Sequence, residues 1–337
     1  MLQEPGVLID IYCHIYPDRF FQEMTKVSPK LENIGARLRG VRKLFDLDER
    51  FREMDAFGDY KQIISLPNPP IEDLAQGATA QTLARVGNDA MAELCARHAD
   101  RFPTFVAAVA LDDVEAAVKE AHRAIKELGA GGVQIFTHIA GRPLDLPEFR
   151  PFFATMAEYD LPIWLHPART AGMSDYPGEQ KSRYEMWWCF GWPYDTSVAM
   201  CRLVFSGLFD RHPGIKIITH HLGGMIPYYD GRVGPGLQVL GARTSDEDYS
   251  QVLPSLKRPH LDYFHSFYGD TALFGGKYGL PCGLDFFGAD HVVFATDTPL
   301  GPIAPTIEAI DQLHLAPDER EKVMAGNAAR LLKRKFN

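Results

Sequence analysis

Residues 8–17 read LIDIYCHIYP, an apolar and β-branched run that stops at a proline and so predicts a strand ending in a turn. Side chains alternate faces along a strand, which puts Asp10, Tyr12 and His14 on one face, with His14 at the C-terminal end. Three further runs repeat the pattern: LPIWLHPAR (161–169), IKIITHHLGG (215–224) and HVVFATDTPLG (291–301). They end in His166, the His220–His221 pair and Asp297. One histidine at the end of an apolar strand is ordinarily a hydrogen-bonded core residue. Four such positions in one chain point to a shared mouth, where three imidazoles and a carboxylate make a divalent-metal site with an acid/base group beside it.

Between these runs the chain alternates short apolar segments with amphipathic helices. The predicted strands are Val7–Cys13, Gln62–Leu66, Thr104–Leu111, Gly132–Phe136, Pro162–His166, Lys216–His220, Ser266–Asp270 and Val292–Thr296. Apolar spacing of i, i+3, i+4 and i+7 predicts helices over Ile71–His98, Asp113–Leu128 and Glu148–Tyr159, with Gly129 as the stop of the second. Eight strands separated by helices indicate a (β/α)8 barrel occupying residues 1–337 as a single domain, since no Pro/Gly/Ser linker divides the chain. The dinucleotide signature G-x-G-x-x-G does not follow the first strand. Two connections, Ile15–Met54 and Pro167–Asp195, are too long for ordinary turns and should cover the catalytic face.

Composition narrows the class. With 46% apolar and 23% charged residues and a net charge of −9, the chain has no basic stripe for nucleic acid. No apolar run approaches the roughly 20 residues that span a bilayer, and the first residues lack the basic-then-apolar pattern of a secretory signal. Five cysteines without a C-x-x-C pair read as reduced thiols in a cytoplasmic protein.

Several residues carry open alternatives. Tyr12 is a candidate phenolate ligand, a hydrogen-bond donor to a bound oxygen, or core filling. Asp297, buried after an apolar strand, is costly unless it meets a cation or hydrogen-bond donors; a metal satisfies it, or it caps the turn that follows. His220 and His221 are adjacent and so point to opposite sides, one into the site and one outside. Gly223-Gly224 allows close backbone approach there. The cluster Trp187-Trp188-Cys189-Phe190-Gly191-Trp192 is either a satellite core or a surface that stacks on a planar substrate.

With these residues in view, the chain resembles the amidohydrolase-2 branch of the amidohydrolase superfamily, which includes decarboxylases of resorcylate and of a carboxymuconate semialdehyde. REMDAFGDYKQIIS (52–65), ELGAGGVQIFTH (127–138), GLFDRHPGIKIITHHLGGMIPY (207–228), SFYGDTA (266–272) and AGNAARLL (325–332) resemble family blocks in family order. The resemblance implies a distorted (β/α)8 barrel with one divalent ion. Under it His14, His166 and Asp297 match metal ligands and His221 the catalytic histidine. Arg232 matches an arginine that binds substrate carboxylate across a dimer interface (an ordinary surface arginine is the alternative), Trp188 matches an active-site tryptophan, and Arg42 falls within a residue of a family arginine. The family pattern Asp-x-His-x-His, or Glu for the first His, is here Asp10-Ile11-Tyr12-Cys13-His14, so Tyr12 stands where a ligand is usual. GVQIF (132–136) holds no lysine to bridge a second metal.

The resulting expectation is a metal-dependent, non-oxidative decarboxylase of a hydroxylated aromatic, heteroaromatic or muconate-like acid, acting as a homo-oligomer on a small-molecule carboxylic acid. His221 or Asp297 would deliver a proton, while Arg232, Trp188, Tyr12 and Arg42 would contact substrate. Two imidazoles and a carboxylate suit zinc somewhat better than manganese or magnesium. The rivals are a hydrolase of a lactone, amide or ester, a hydratase of an unsaturated dicarboxylate, and a metal-free binding protein.

Overall fold

The computed structural model describes residues 6–28 and 35–336. The first few residues of the expected N-terminal reading therefore lie outside the described residues. Eight strands appear close to the predicted positions: β1 (Leu8–His14), β2 (Tyr60–Ser65), β3 (Val106–Ala108), β4 (Gly132–Phe136), β5 (Ile163–His166), β6 (Ile217–Thr219), β7 (Tyr268–Asp270) and β8 (Val292–Val293). All pairings among them are parallel. β3 to β8 form one sheet in sequence order, while β1 and β2 form a separate pair.

Sparse contacts join the two sheets at both edges. Ile64 of β2 bridges Phe105 just before β3. On the other side the Ile11 amide donates to the Phe294 carbonyl at 2.9 Å. Asp10 reinforces that second seam, its carboxylate accepting from Thr296 Oγ1 at 2.5 Å, the Thr296 amide at 3.1 Å and Tyr60 OH at 2.5 Å. The eight strands thus run round a distorted barrel, as expected. Inside it, Trp164 on β5 donates across to the Ile11 carbonyl at 3.1 Å.

Helices α1 (Gly77–Arg97), α2 (Val114–Lys126), α3 (Arg150–Tyr159), α4 (Gly191–Phe205), α5 (Gly279–Phe287) and α6 (Ile303–Asp311) account for much of the outer layer. Their amphipathic spacing is what the barrel's outer face requires, because parallel strands are covered on both sides. Asp113 caps α2 by accepting from the Ala116 amide at 3.0 Å, and Gly129 follows the helix with φ +77°. The expected helix Ile71–His98 is two helices, Ile71–Leu74 and α1. Ala75 and Gln76 are extended between them, and Gly77 adopts φ +56°. The strand predicted over Thr104–Leu111 pairs regularly only at its centre. Asn88 of α1 holds that centre by accepting from the Ala108 amide and donating to its carbonyl, both at 2.8 Å. No described helix is long and apolar enough to cross a membrane.

Glu72 ties the short helix to the end of β3, accepting from the Leu111 amide at 2.7 Å, while its other oxygen is buried without a hydrogen bond. Burial pushes its carboxyl up to about 7, against the opposing pull of the Leu111 amide. The folded state therefore holds the proton longer than the unfolded chain does. This stabilisation is complete below about pH 4.5 and is lost as pH rises through about 7, with a difference of roughly 3 kcal/mol. Glu72→Gln should remove that component. Calorimetric melting of both proteins from pH 5 to 8 should show wild type losing stability relative to the variant, and parallel curves would refute the assignment.

Candidate active site

The C-terminal ends of β1, β5, β6 and β8 bring His14, His166, the His220–His221 pair and Asp297 to one mouth. Each of three imidazoles has one nitrogen tied outward. His14 Nδ1 meets Ser65 Oγ at 2.9 Å, His166 Nδ1 meets the Pro167 carbonyl at 2.7 Å and Asn68 Nδ2 at 3.2 Å, and His220 Nδ1 meets Asp270 Oδ2 at 2.6 Å. The remaining nitrogens face inward. Ligand atoms of His14, His166 and His220 all lie within 4.8 Å of one another, as do those of His220, His221 and Asp297. His14 Nε2 approaches Asp297 Oδ1 to 3.0 Å and His220 Nε2 approaches it to 3.7 Å. Yet all three atoms, like His221 Nδ1, are buried without a hydrogen-bond partner. Unpaired buried donors and acceptors are costly, and here they converge. A divalent cation fits this set: imidazole nitrogens and a carboxylate oxygen at ligand-to-ligand spacing, with outward partners that fix each ring.

Electrostatics follows burial. Desolvation drives the His166 and His221 imidazoles well below their ordinary range, so both are neutral. Burial alone would raise the Asp297 carboxyl, but the His14 and His220 rings beside it hold it far below the carboxylate range. His220 is pulled the other way: burial lowers it, yet Asp270 and Asp297 together lift it to about 9.

Alternation does not hold at the histidine pair. His221 and Leu222 adopt left-handed backbone (φ 56° and 54°), followed by Gly223 and Gly224 at φ 76° and 62°. The chain leaves the pleat at Thr219, so neighbouring residues no longer point to opposite sides. Both rings enter the site, with centroids 3.7 Å apart. A Cβ at Gly224 would meet the Pro193 carbonyl oxygen at 2.4 Å, which explains the glycine there. Asp297 is also left-handed, at φ 64°. The following turn is closed by its backbone carbonyl, which accepts from Leu300 and Gly301 at 2.9 and 2.8 Å, leaving the carboxylate for the site.

Tyr12 is not placed as a phenolate ligand. Its hydroxyl donates to Gln134 Oε1 at 2.7 Å, and Gln134 in turn donates to the Leu66 carbonyl at 3.0 Å. Burial, with Asp270 and Asp297 nearby, raises the phenol well above its ordinary value, so it keeps its proton. Gln134 is the inward residue of β4, the strand that lacks lysine.

A cavity of about 90 Å³ opens at the donor cluster, lined by Asp297, His221, Trp187, Trp188, Trp192, Phe274 and Arg37 among others. Both long connections contribute to it, as expected. Trp192 lies at 26° to the His221 ring with centroids 5.9 Å apart, anchored by its indole to the Arg169 carbonyl at 2.9 Å. A larger cavity of about 560 Å³ shares Trp187 but is lined by none of His14, His166, His220, His221 and Asp297. His221 and Asp297 line the smaller one.

The arginines fall in different places. Arg42 is an exposed residue paired with Asp46 at 3.1 Å and Glu49 at 3.3 Å, its reach spent on the acidic first turn of the helix over Leu47–Met54. Arg37, five residues earlier, lines the cavity instead and was not singled out by sequence. Arg232 is exposed, 5.8 Å from the Tyr229 ring, and does not line the cavity of its own chain. Arg50 also escaped notice: fully buried, it donates to the His14 carbonyl at 2.6 Å and to Gln62 at 2.7 Å, fixing the end of β1.

A family model described as amidohydrolase matches residues 9–334. The chain belongs to this family. It is 34% identical over 311 residues to a gamma-resorcylate decarboxylase of Rhodococcus jostii, covering 86% of this chain and 89% of that one. Among solved structures it superposes on a dihydroxybenzoic acid decarboxylase from Polaromonas, bound to manganese and 2-nitroresorcinol, with TM-score 0.79 and 28% identity over 98% of this chain and 97% of that one. A 5-carboxyvanillate decarboxylase from Novosphingobium aromaticivorans, also holding manganese, gives 0.82 and 26% over 97% and 96%.

Tyr12→Phe should leave metal affinity unchanged and cost about 1 kcal/mol of stability through the lost bond to Gln134. Titration against a chelating dye checks this; weaker metal binding would restore the phenol as a ligand.

Proposed function

We propose that this chain is a metal-dependent, non-oxidative carboxy-lyase acting on a small hydroxylated aromatic, heteroaromatic or muconate-like acid. The observation that carries the reading is the convergence of buried, unpartnered donors on a narrow cavity walled by tryptophans. Its relatives by sequence and by structure are decarboxylases of dihydroxybenzoate and carboxyvanillate type. A protein that bound nothing would leave those donors unpaired at a standing cost.

His14, His166 and Asp297 would hold the ion. When bound, a divalent cation supplies Lewis-acid charge to substrate oxygens and offsets the negative charge that builds there. Trp188 and Phe274, with ring centroids 6.3 Å apart, and Trp192 present aromatic faces to a planar ring and keep water from it. Arg37 sets a guanidinium at the mouth for a carboxylate. Neutral His221 accepts the proton of the substrate's hydroxyl or carboxyl group and returns it to the ring carbon that bears the carboxylate. That carbon becomes tetrahedral and the ring ketone-like. The carbon–carbon bond pair then returns to the ring as CO2 leaves, so no free carbanion forms. Asp297, held as a carboxylate by the His14 and His220 rings beside it, carries no proton to give, and on this reading the transfer falls to His221.

The imidazole-rich donor set suits zinc, whereas the two solved relatives hold manganese; elemental analysis of protein purified without added metal separates them. Arg232 would reach a substrate only from a second copy of the chain, so its role stands with a homodimer. Five free thiols suit a reducing compartment, and we place the protein in the cytoplasm.

A screen of hydroxybenzoates and hydroxypicolinates should show CO2 released in step with formation of the decarboxylated ring. Ester or lactone hydrolysis without CO2 would overturn the reading. His221→Asn should lower kcat by about 10²–10⁴-fold with metal content unchanged; normal turnover would remove His221 from its role.

A further inference from the structure

We propose that His220 is a metal ligand, supplying from the end of β6 the donor that residue 12 of β1 does not. This rests on the metal-dependent reading above and extends its ligand set to His14, His166, His220 and Asp297.

Geometry separates His220 from its neighbours. Its side chain is fully buried. Asp270 holds Nδ1 at 2.6 Å, and the other Asp270 oxygen accepts from the amides of His221 at 2.9 Å and Ala272 at 3.2 Å. A carboxylate on Nδ1 keeps one proton there and aims Nε2 inward, the arrangement that orients metal-bound histidines; a bound ion would displace the second proton that the neighbouring carboxylates otherwise favour. That Nε2 has no hydrogen-bond partner and lies within 4.8 Å of the inward nitrogens of His14 and His166. Ligands bound at about 2.0–2.2 Å stand roughly 3–3.6 Å apart, so small side-chain shifts bring all of them onto one ion.

Tyr12 shows the reciprocal arrangement. Its oxygen is turned away to Gln134, and its ring packs edge-on against His220 with centroids 4.6 Å apart. The tyrosine thus forms a wall that positions the imidazole. His221 differs from His220 in having no outward carboxylate on its ring; it stacks on Trp192 and lines the cavity. Adjacent histidines therefore divide the work, one facing the ion and one facing the substrate.

The test counts ligands directly. Purified protein loaded with Mn²⁺ should show, by pulsed EPR with ¹⁵N-histidine labelling, three coordinated imidazoles in wild type, two in His220→Ala and three in His221→Ala. Zinc affinity by chelator competition should fall at least tenfold in His220→Gln, and about 10–100-fold in Asp270→Asn, which keeps the imidazole but loosens it. If His220→Ala does not fold, the wild-type count and Asp270→Asn still decide. Two imidazoles in wild type, or unchanged counts and affinity in the His220 variants, would overturn the proposal while leaving a metal enzyme. Failure to take up any divalent ion would overturn both readings.

Discussion

The carboxylate of Asp10 closes the barrel seam on which the site depends. β8 is regular for only two residues, and the backbone pairing that joins its side of the barrel to β1 is reduced to two bonds, from the Ile11 amide to the Phe294 carbonyl and from the His14 amide to the Thr298 carbonyl. Asp10 replaces the missing ladder with side-chain bonds to Thr296 and Tyr60, linking β1, β2 and β8 at one point. Thr296 precedes Asp297 and Asp10 lies four residues before His14. Together with the His14–Thr298 backbone bond, the seam therefore sets the separation of two donors whose strands otherwise pair sparsely. A charged group in an apolar interior is tolerated only when so fully hydrogen-bonded.

Outward from that seam, each inward donor is held by a partner behind it. Ser65 stands behind His14, the Pro167 carbonyl behind His166 and Asp270 behind His220, while buried Arg50 fixes the His14 carbonyl. These contacts leave the rings little freedom and concentrate all unsatisfied polarity at their inner edges. Burial in the barrel interior makes that concentration expensive unless something positively charged meets it. The architecture thus selects a cation before any substrate arrives, and the tryptophan-lined connections then select what reaches the cation.

Much of this was legible because it rests on local chemistry. Strand ends marked by His14, His166 and Asp297, and helices marked by apolar spacing, follow from periodicities of 2 and 3.6. The histidine pair was not legible, because alternation presumes extended backbone and His221 begins four consecutive left-handed residues. Gly223-Gly224 announced a tight turn, yet nothing announced that it would start two residues earlier on bulky side chains. Tyr12 was read as an open choice since its hydroxyl's partner, Gln134, lies 122 residues away. The exchange of Arg42 for Arg37 has the same origin: which of several arginines reaches a cavity depends on how the long connection after β1 folds back, a tertiary matter that spacing does not encode.

Left-handed backbone at His221, Leu222 and Asp297 costs on the order of 1–3 kcal/mol at each non-glycine residue. Backbone bonds offset part of that cost, the His221 amide donating to Asp270 and the Asp297 carbonyl closing its turn, while His221 Nδ1 and Asp297 Oδ1 stay unpaired. An extended His220–His221 would lose the strain, but it would turn one ring out of the mouth. What the strain secures is two imidazoles side by side with different surroundings. One has a carboxylate behind it and faces the donor cluster; the other has an indole beside it and faces the cavity. On the proposed reading, such a pair lets one strand end serve both electrostatic binding and proton transfer, functions that would otherwise need donors from separate strands. The fold therefore carries strain and unmet polarity at the same few residues, where binding an ion and a ligand offsets both.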